Sequence, residues 1–176
     1  MREQLLTRAT VYSGRLVRVH RDEVLLPDGQ VRVREVVHHP GAVAILAVTE
    51  PERVILVRQY RHAIGRVTLE LPAGTLEEGE RPEDCALREL EEETGYRAGR
   101  LRELIRFAVS PGWTDEQLVV FIAEHLEAQA ARPAEDERVT VVELHPEDAR
   151  AAIQRGDICD AKSLIGLMAY YGWRLS

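Results

Sequence analysis

One segment, AVAILAVTEPERVILVRQY at residues 42 to 60, constrains the fold most strongly. Two nearly continuous apolar runs lie on either side of its central turn sequence, Glu50-Pro51-Glu52. A strand with one solvated face alternates apolar and polar residues, whereas short continuous apolar runs are typical of strands that are buried on both faces. The segment therefore predicts two central strands of a sheet, joined by that turn.

Weaker strand signals occur on both sides of this segment. Residues 15 to 39 alternate apolar and polar residues around Pro27-Asp28-Gly29, which predicts a β-hairpin with its turn at that tripeptide. Further strands are expected near residues 101 to 109, 117 to 123 and 138 to 144. The first half of the chain is thus expected to consist mainly of strands.

Three helices are predicted. Pro82 is tolerated in a first helical turn, the acidic residues after it favour the positive helix start, and Gly95 provides a stop, so residues 82 to 94 are expected to be helical. Two more helices are expected to open at residues 145 to 148 (HPED) and 160 to 163 (DAKS).

Composition restricts the classes of function. The 176 residues, 45% of them hydrophobic, suffice for one domain with a substantial core, or for a domain with a small appendage. The net charge of -7 argues against a nucleic-acid partner, and a phosphate ligand will need cations. The longest apolar run, residues 42 to 48, is too short to span a membrane. Two cysteines without metal-ligand spacing predict reduced thiols, so a soluble, cytoplasmic protein without a membrane partner is expected.

The predicted helix at residues 82 to 94 concentrates carboxylates on one face. At about 100° per residue, Glu89, Glu92 and Glu93 share a face, whereas Glu91 points nearly the opposite way. Like charges at this spacing destabilise a helix, so the face is either a solvated acidic surface or a site for a hard cation such as Mg²⁺. The helix alone does not decide between these interpretations.

The spacing around this helix resembles the Nudix box, the motif of hydrolases that cleave nucleoside diphosphates linked to another moiety. All seven fixed residues of the motif have a counterpart, namely Gly74, Glu80, Arg88, Glu89, Glu92, Glu93 and Gly95. Tyr96 departs from the motif, which usually has an aliphatic residue at that position. The resemblance favours the cation site over the solvated surface.

Resemblance to the Nudix family implies an α/β fold, specifically an α/β/α sandwich around a mixed sheet with an N-terminal antiparallel strand extension. Residues 41 to 176 are accordingly assigned to a Nudix hydrolase domain, and residues 1 to 40 to an N-terminal strand region. Because members of the family pair their subunits through such strands, we expect a homodimer in which this region forms the interface.

The resemblance also implies a site for two or three Mg²⁺ ions, with Mn²⁺ as the alternative metal. The expected ligands are the carbonyl oxygen of Ala73 and the carboxylates of Glu89, Glu92 and Glu93. Arg88 is expected to orient these carboxylates, so Arg88 and Glu92 are also counted as catalytic residues. Gly74 is expected to permit a tight turn. Glu80 is expected to support the site by holding its loop, with a direct part in metal binding as the less favoured alternative.

Two further stretches, RQYR at residues 58 to 61 and SPGWTDE at residues 110 to 116, together with ELPAG, resemble the ADP-ribose pyrophosphatase branch of the family. A proline fifteen residues past the box marks that branch, and Pro111 lies fifteen residues past Tyr96. The implied reaction is hydrolysis of a nucleoside diphosphate sugar, ADP-ribose, to AMP and ribose 5-phosphate. The expected substrate-binding residues are Arg58 and Arg61, as cations for the diphosphate, with Pro111 and Trp113.

A general base is expected in the acidic loop at residues 134 to 137. Glu137 is favoured because the strand that follows can anchor its backbone, and Glu135 is the alternative. Two other functions stay open at this stage. The chain could act on another nucleoside diphosphate sugar or on a dinucleoside polyphosphate, or it could be a non-catalytic Nudix domain that senses nucleotides. The intact acidic box argues against the non-catalytic alternative.

Overall fold

The computed structural model describes residues 2–49, 51–129 and 139–173 of the chain. The chain divides into two compact units. The first, called the N-terminal unit, comprises Met1–Gly41 and Ala108–Gln117. The second, called the main unit, comprises Ala42–Phe107 and Leu118–Ser176.

The N-terminal unit contains a three-stranded antiparallel sheet in the order β1-β2-β3. Its strands are β1 (Gln4–Ser13), β2 (Arg18–Leu25) and β3 (Val31–His38). β2 and β3 form the predicted hairpin, and Gly29 in its turn has a φ of 84°. Strand β1 was not predicted as a separate element. All of its residues are exposed, so its sequence lacks the alternation that a half-buried strand shows.

The main unit is built on a mixed seven-stranded sheet. Its strands are β4 (Ala42–Thr49), β5 (Arg53–Arg61), β6 (Arg66–Glu70), β7 (Ala73–Thr75), β8 (Tyr96–Ala108), β9 (Gln117–Ala128) and β10 (Thr140–Leu144). The order is β10-β5-β4-β9-β8, with β6 paired to β5 and β7 paired to β4. β4 and β9 are parallel, whereas β4 and β5 are antiparallel. The prediction of two central strands is therefore confirmed.

Helices cover both faces of this sheet. α1 (Pro82–Thr94) packs on one face, and α2 (Pro146–Arg155) and α3 (Ala161–Tyr171) pack on the other. The core under α1 includes Ile45, Ile55, Cys85, Leu90 and Phe121. The opposite core includes Leu46, Leu56, Val120, Ile153 and Leu167. Alternate residues of β4 and β5 thus enter different cores, and the implied α/β/α sandwich is confirmed.

The helix boundaries agree with the sequence signals. α1 begins at Pro82 and ends before Gly95, whose left-handed φ of 72° and N–H to the Glu91 carbonyl close the helix. Asp160 accepts a hydrogen bond from the backbone N–H of Ser163 and so caps α3. β8 begins earlier and β9 ends later than predicted, because their additional residues are mostly exposed and carry little apolar alternation.

Candidate active site

The acidic face of α1 is turned towards the protein rather than towards solvent. Glu89 is 7% exposed and Glu93 is 3% exposed, while the Glu92 side chain is 40% exposed. Buried carboxylates are rare unless they are paired or bind a cation, because desolvation penalises the charged form. Glu89 and Glu93 are therefore not part of a solvated acidic surface.

Strand β7 lies directly against these buried carboxylates. The backbone N–H of Ala73 donates a 3.0 Å hydrogen bond to Oε2 of Glu93. A Cβ atom at Gly74 would lie 1.9 Å from Cδ of Glu89, a distance that no side chain can tolerate. Gly74 is in a strand and does not have a positive φ, so the expected tight turn is wrong. Glycine is required here because Glu89 fills the space where a side chain would be.

Arg88 joins three carboxylates. Its Nε and Nη2 donate to the two oxygens of Glu80 at 2.9 and 3.1 Å, and its Nη1 donates to Glu89 at 2.7 Å and to Glu92 at 3.1 Å. The hydrogen bonds from Arg88 hold the pKa of Glu80 at about 2, and Glu80 in turn raises the pKa of Arg88. Glu80 also accepts a hydrogen bond from the backbone N–H of Glu77, which fixes the loop before α1.

The charges of this cluster fit a hard divalent cation. Arg88 carries one positive charge against the three carboxylates that it binds, and every candidate ligand atom is an oxygen, the ligand type that Mg²⁺ prefers. Within the described ranges, however, no three His, Cys, Asp or Glu side chains already converge as a metal cage. The carboxylates of Glu89 and Glu92 do not converge because both are held by hydrogen bonds from Arg88. The donor set is suited to an ion that keeps several water ligands.

The two candidate arginines of β5 lie on opposite faces of the sheet. Arg61 is on the α1 face, and the negative charge of Glu93 contributes to its raised pKa after the larger effect of Glu70. Arg58 is three residues away, so strand alternation directs it to the α2 face, where it lines a cavity with Val142 and Ala152. The structure therefore does not bring Arg58 together with Arg61 and the carboxylates, and the assignment of Arg58 to the substrate site stays a prediction.

Pro111 and Trp113 belong to the N-terminal unit. Their turn is attached to β3 by two backbone hydrogen bonds, from Val37 to Trp113 at 2.8 Å and from Asp115 to Val37 at 3.2 Å. Nδ1 of His38 also lies 2.6 Å from Oδ2 of Asp115. The Trp113 side chain is 56% exposed and borders an apolar cavity with β-strand valines. Their assignment to the substrate site stays a prediction.

The two candidate bases, Glu135 and Glu137, lie outside the described residues. Tyr96, the departure from the box, packs in the core under α1, and its hydroxyl donates to Oε1 of Glu143 at 2.8 Å. The tyrosine therefore links the start of β8 to β10. An aliphatic side chain at this position could pack but could not make that hydrogen bond.

Sequence reasoning missed a buried ionic cluster beside the carboxylates. Glu70, at the end of β6, is 1% exposed and binds Arg61, Lys162 and Thr68. Burial raises the pKa of Glu70, but the hydrogen bond from Arg61, the charge of Lys162 and further hydrogen bonds outweigh this and set the pKa at about 2. The available signal was a single glutamate between Leu69 and Leu71, and its two cationic partners lie 9 and 92 residues away in the chain.

This fold and this acidic helix define a class of protein, and comparison with known families agrees. The NUDIX domain model matches residues 38–164, and a model described as "Nucleoside diphosphate sugar hydrolase N-terminal domain" matches residues 3–37. The chain therefore belongs to the Nudix family.

Two curated relatives cover nearly the whole chain. An ADP-ribose pyrophosphatase of Bacillus subtilis (strain 168) is 43% identical over 165 residues, which are 93% of this chain and 89% of the relative. A methanol dehydrogenase activator of Bacillus methanolicus is 42% identical over 167 residues, which are 94% of this chain and 90% of the relative.

A solved structure supports the fold. The crystal structure of an ADP compounds hydrolase matches with a TM-score of 0.86 at 23% sequence identity, covering 98% of this chain and 94% of that chain. No helix in the described part of the protein has the length and apolar character that crossing a membrane requires.

Proposed function

We propose that this Nudix protein hydrolyses the diphosphate of ADP-ribose to AMP and ribose 5-phosphate. One observation carries the proposal, namely that Glu89 and Glu93 are buried against β7 on the sheet face that also carries Arg61. Carboxylates that can hold divalent ions and a cation for phosphate are the two elements that cleavage of a diphosphate requires. The ADP-ribose pyrophosphatase among the relatives supports ADP-ribose as the substrate.

The proposed metal ligands are the carbonyl oxygen of Ala73 and the carboxylates of Glu89, Glu92 and Glu93. Two or three Mg²⁺ ions, or Mn²⁺ ions in their place, would supply charge neutralisation of the diphosphate and activation of water. Arg88 keeps its three carboxylates oriented, because its hydrogen bonds to Glu80 anchor the guanidinium to the loop before α1. The general base is proposed to be Glu137, with Glu135 as the alternative.

We also propose that the N-terminal strand region, residues 1 to 40, joins two copies of the chain. Its sheet exposes large apolar side chains, which include Leu5, Leu6, Val11, Tyr12, Val31 and Val33. Apolar surface of this kind favours a protein interface. Light scattering at micromolar concentration should give a mass of about 40 kDa, twice the 19.9 kDa of the chain. A fully active species of about 20 kDa would contradict the dimer.

A cytoplasmic location is proposed on the state of the cysteines. Cys85 is a buried free thiol and Cys159 is an exposed free thiol. Burial raises the pKa of Cys85 to about 12, which suppresses its reactivity. An exposed free thiol is typical of a protein kept in a reducing compartment.

The second candidate function is hydrolysis of a different nucleoside diphosphate compound. The N-terminal model is described for nucleoside diphosphate sugar hydrolases in general, and the relative from Bacillus methanolicus has a different activity in its name. A panel of ADP-ribose, GDP-mannose, a dinucleoside polyphosphate and dATP, each tested with Mg²⁺ and with Mn²⁺ and scored by product, separates the candidates. Absence of hydrolysis across the panel would favour a non-catalytic nucleotide sensor.

A further inference from the structure

Among the described residues of the main unit, Glu70 is the most deeply buried charged group, and two cations converge on it. Nε of Arg61 donates to Oε1 of Glu70 at 2.9 Å, and Nη2 of Arg61 donates to Oε2 at 2.6 Å. Nζ of Lys162 also donates to Oε2. Thr68 donates its hydroxyl hydrogen to Oε1. Both carboxylate oxygens are thus occupied, and Glu70 cannot reorient without breaking several hydrogen bonds.

Strand register explains how Arg61 reaches a residue so far along the sheet. In the antiparallel pair of β5 and β6, Arg61 is opposite Arg66, and Val57 is opposite Glu70. Residues directly opposite each other share a face, so Arg61 and Glu70 point to the same side. The long side chain of Arg61 therefore runs back along β6, past Thr68, to the buried carboxylate.

The start of α3 completes the cluster. Lys162 pairs with Asp160 at 2.8 Å as well as with Glu70. The hydroxyl of Ser163, which is fully buried, accepts a 2.8 Å hydrogen bond from the backbone N–H of Leu71. The end of β6 and the residue that follows it, Leu71, are thus fixed to the start of α3, and the Glu70 carboxylate lies at this junction.

The ion pair with Glu70 uses one edge of the Arg61 guanidinium and leaves the other edge for a ligand. The guanidinium of Arg61 donates its hydrogen bonds to Glu70 through its Nε and Nη2 edge. A guanidinium has a second edge, formed by Nη1 and the other hydrogen of Nη2, that can bind two phosphate oxygens at once. The side chain of Arg61 is 42% exposed, so this edge can meet a ligand.

We propose that Glu70 is a positioning residue, which acts through Arg61 by fixing its second edge for the diphosphate of the substrate. Lys162 supports this role by holding Oε2 of Glu70 in place. The proposal rests on the proposed function, because it requires a diphosphate substrate. Glu70 itself makes no contact with the substrate in this account.

A double-mutant cycle in KM and kcat tests the proposal. Arg61→Ala should raise KM by roughly 10- to 100-fold, as expected for the loss of charge-assisted hydrogen bonds. Glu70→Gln should raise KM about 10-fold and change kcat by less than about 3-fold, because Arg61 is still present but no longer held in one orientation. In the double mutant KM should equal that of Arg61→Ala within about 2-fold, because a residue that acts only through Arg61 has nothing further to lose.

Losses that multiply in the double mutant would overturn the proposal, because Glu70 would then act independently of Arg61. An unchanged KM in Glu70→Gln would overturn it as well. Glu103→Gln, which breaks an exposed pair with Arg106 elsewhere in the main unit, is the matched control and should leave KM unchanged. If Glu70→Gln does not fold, Thr68→Val takes its place. It should raise KM about 2-fold, and only when Arg61 is present.

These outcomes separate the two proposals. A wild-type protein that prefers another nucleoside diphosphate compound contradicts ADP-ribose as the substrate, and the cycle is then measured with that compound. If the wild-type protein hydrolyses ADP-ribose but the KM effects of the two substitutions multiply in the double mutant, only the role of Glu70 is contradicted. A wild-type protein that hydrolyses no diphosphate in the panel would overturn both proposals.

Discussion

The backbone N–H of Ala73 donates a 3.0 Å hydrogen bond to Oε2 of Glu93 and so connects β7 to the acidic face of α1. The candidate site is therefore formed by two elements, α1 and β7, and not by the helix alone. Glu93 is thereby held close to the backbone whose carbonyl is proposed as a metal ligand.

The first prediction compares two neighbouring glutamates of α1. Glu93→Gln should lower kcat by roughly 10² to 10⁴, the scale expected when a group essential to metal-assisted chemistry is lost. Glu91→Gln should be nearly neutral, because Glu91 is less buried than Glu93 and helix geometry directs it nearly opposite to the acidic face. Both variants keep the side-chain volume, so steady-state kinetics measures the effect of charge. Equal losses in the two variants would show that the acidic face is assigned incorrectly.

A methyl group at Gly74 should damage the site itself. In Gly74→Ala the new Cβ would overlap Glu89, so the carboxylate must move, and kcat should fall by more than about 100-fold. Gly166→Ala is the control, since its Cβ would crowd Leu71 and Val120 in the apolar core under α3. Both substitutions should destabilise the fold by about 1–3 kcal/mol, but only Gly74→Ala should abolish activity in the folded protein. Retained activity in Gly74→Ala would contradict the account.

The two arginines of β5 give a test of sheet faces. Arg61→Ala should raise KM, because Arg61 shares the α1 face with the carboxylates, whereas Arg58→Ala should leave KM within about 2-fold of wild type. Arg58 thus serves as a control three residues away on the same strand. A larger effect of Arg58→Ala than of Arg61→Ala on KM would reverse the assignment of the faces.

Some elements of the fold were predictable from the sequence alone. The ends of α1 were predictable because Pro82 and Gly95 act locally. The buried hairpin of β4 and β5 was predictable because its apolar runs are continuous. The separation of Arg58 from Arg61 was not predictable, because a motif gives the order of residues but does not state which face of a strand each one occupies.

Long-range contacts explain what the sequence concealed. Glu70 and Lys162 are 92 residues apart in the chain, and their contact depends on how α3 packs against β6. Strand β1 was not predicted as a separate element of the N-terminal strand region, because its residues are exposed and lack alternation. The requirement for Gly74 was recognised, but its reason was wrong, since the close approach of Glu89 is visible only when α1 packs on β7.

Glu70 should make stability depend on pH in acid. Its pKa in the folded protein is about 2, below the ordinary 4.5, so its stabilising effect is fully present above about pH 4.5 and is lost as the pH falls towards 2. A shift of this size corresponds to about 3 kcal/mol in the free energy of unfolding.

Chemical denaturation of wild type and Glu70→Gln at pH 6 and pH 3 measures this contribution. The loss of unfolding free energy in Glu70→Gln relative to wild type should be about 2 kcal/mol smaller at pH 3 than at pH 6. Contributions from other carboxylates, including Glu80, are common to both proteins and cancel in the difference. A difference that is the same at both pH values would mean that Glu70 is not stabilised as a carboxylate.

Competition between substrates tests the central claim most directly. Purified protein with Mg²⁺ should convert ADP-ribose to equal amounts of AMP and ribose 5-phosphate, and removal of divalent ions with EDTA should stop the reaction. At equal concentrations, kcat/KM for ADP-ribose should exceed that for dATP and for a dinucleoside polyphosphate. If either competitor shows a kcat/KM about ten times that of ADP-ribose, the proposed substrate is wrong even though the protein is a Nudix hydrolase.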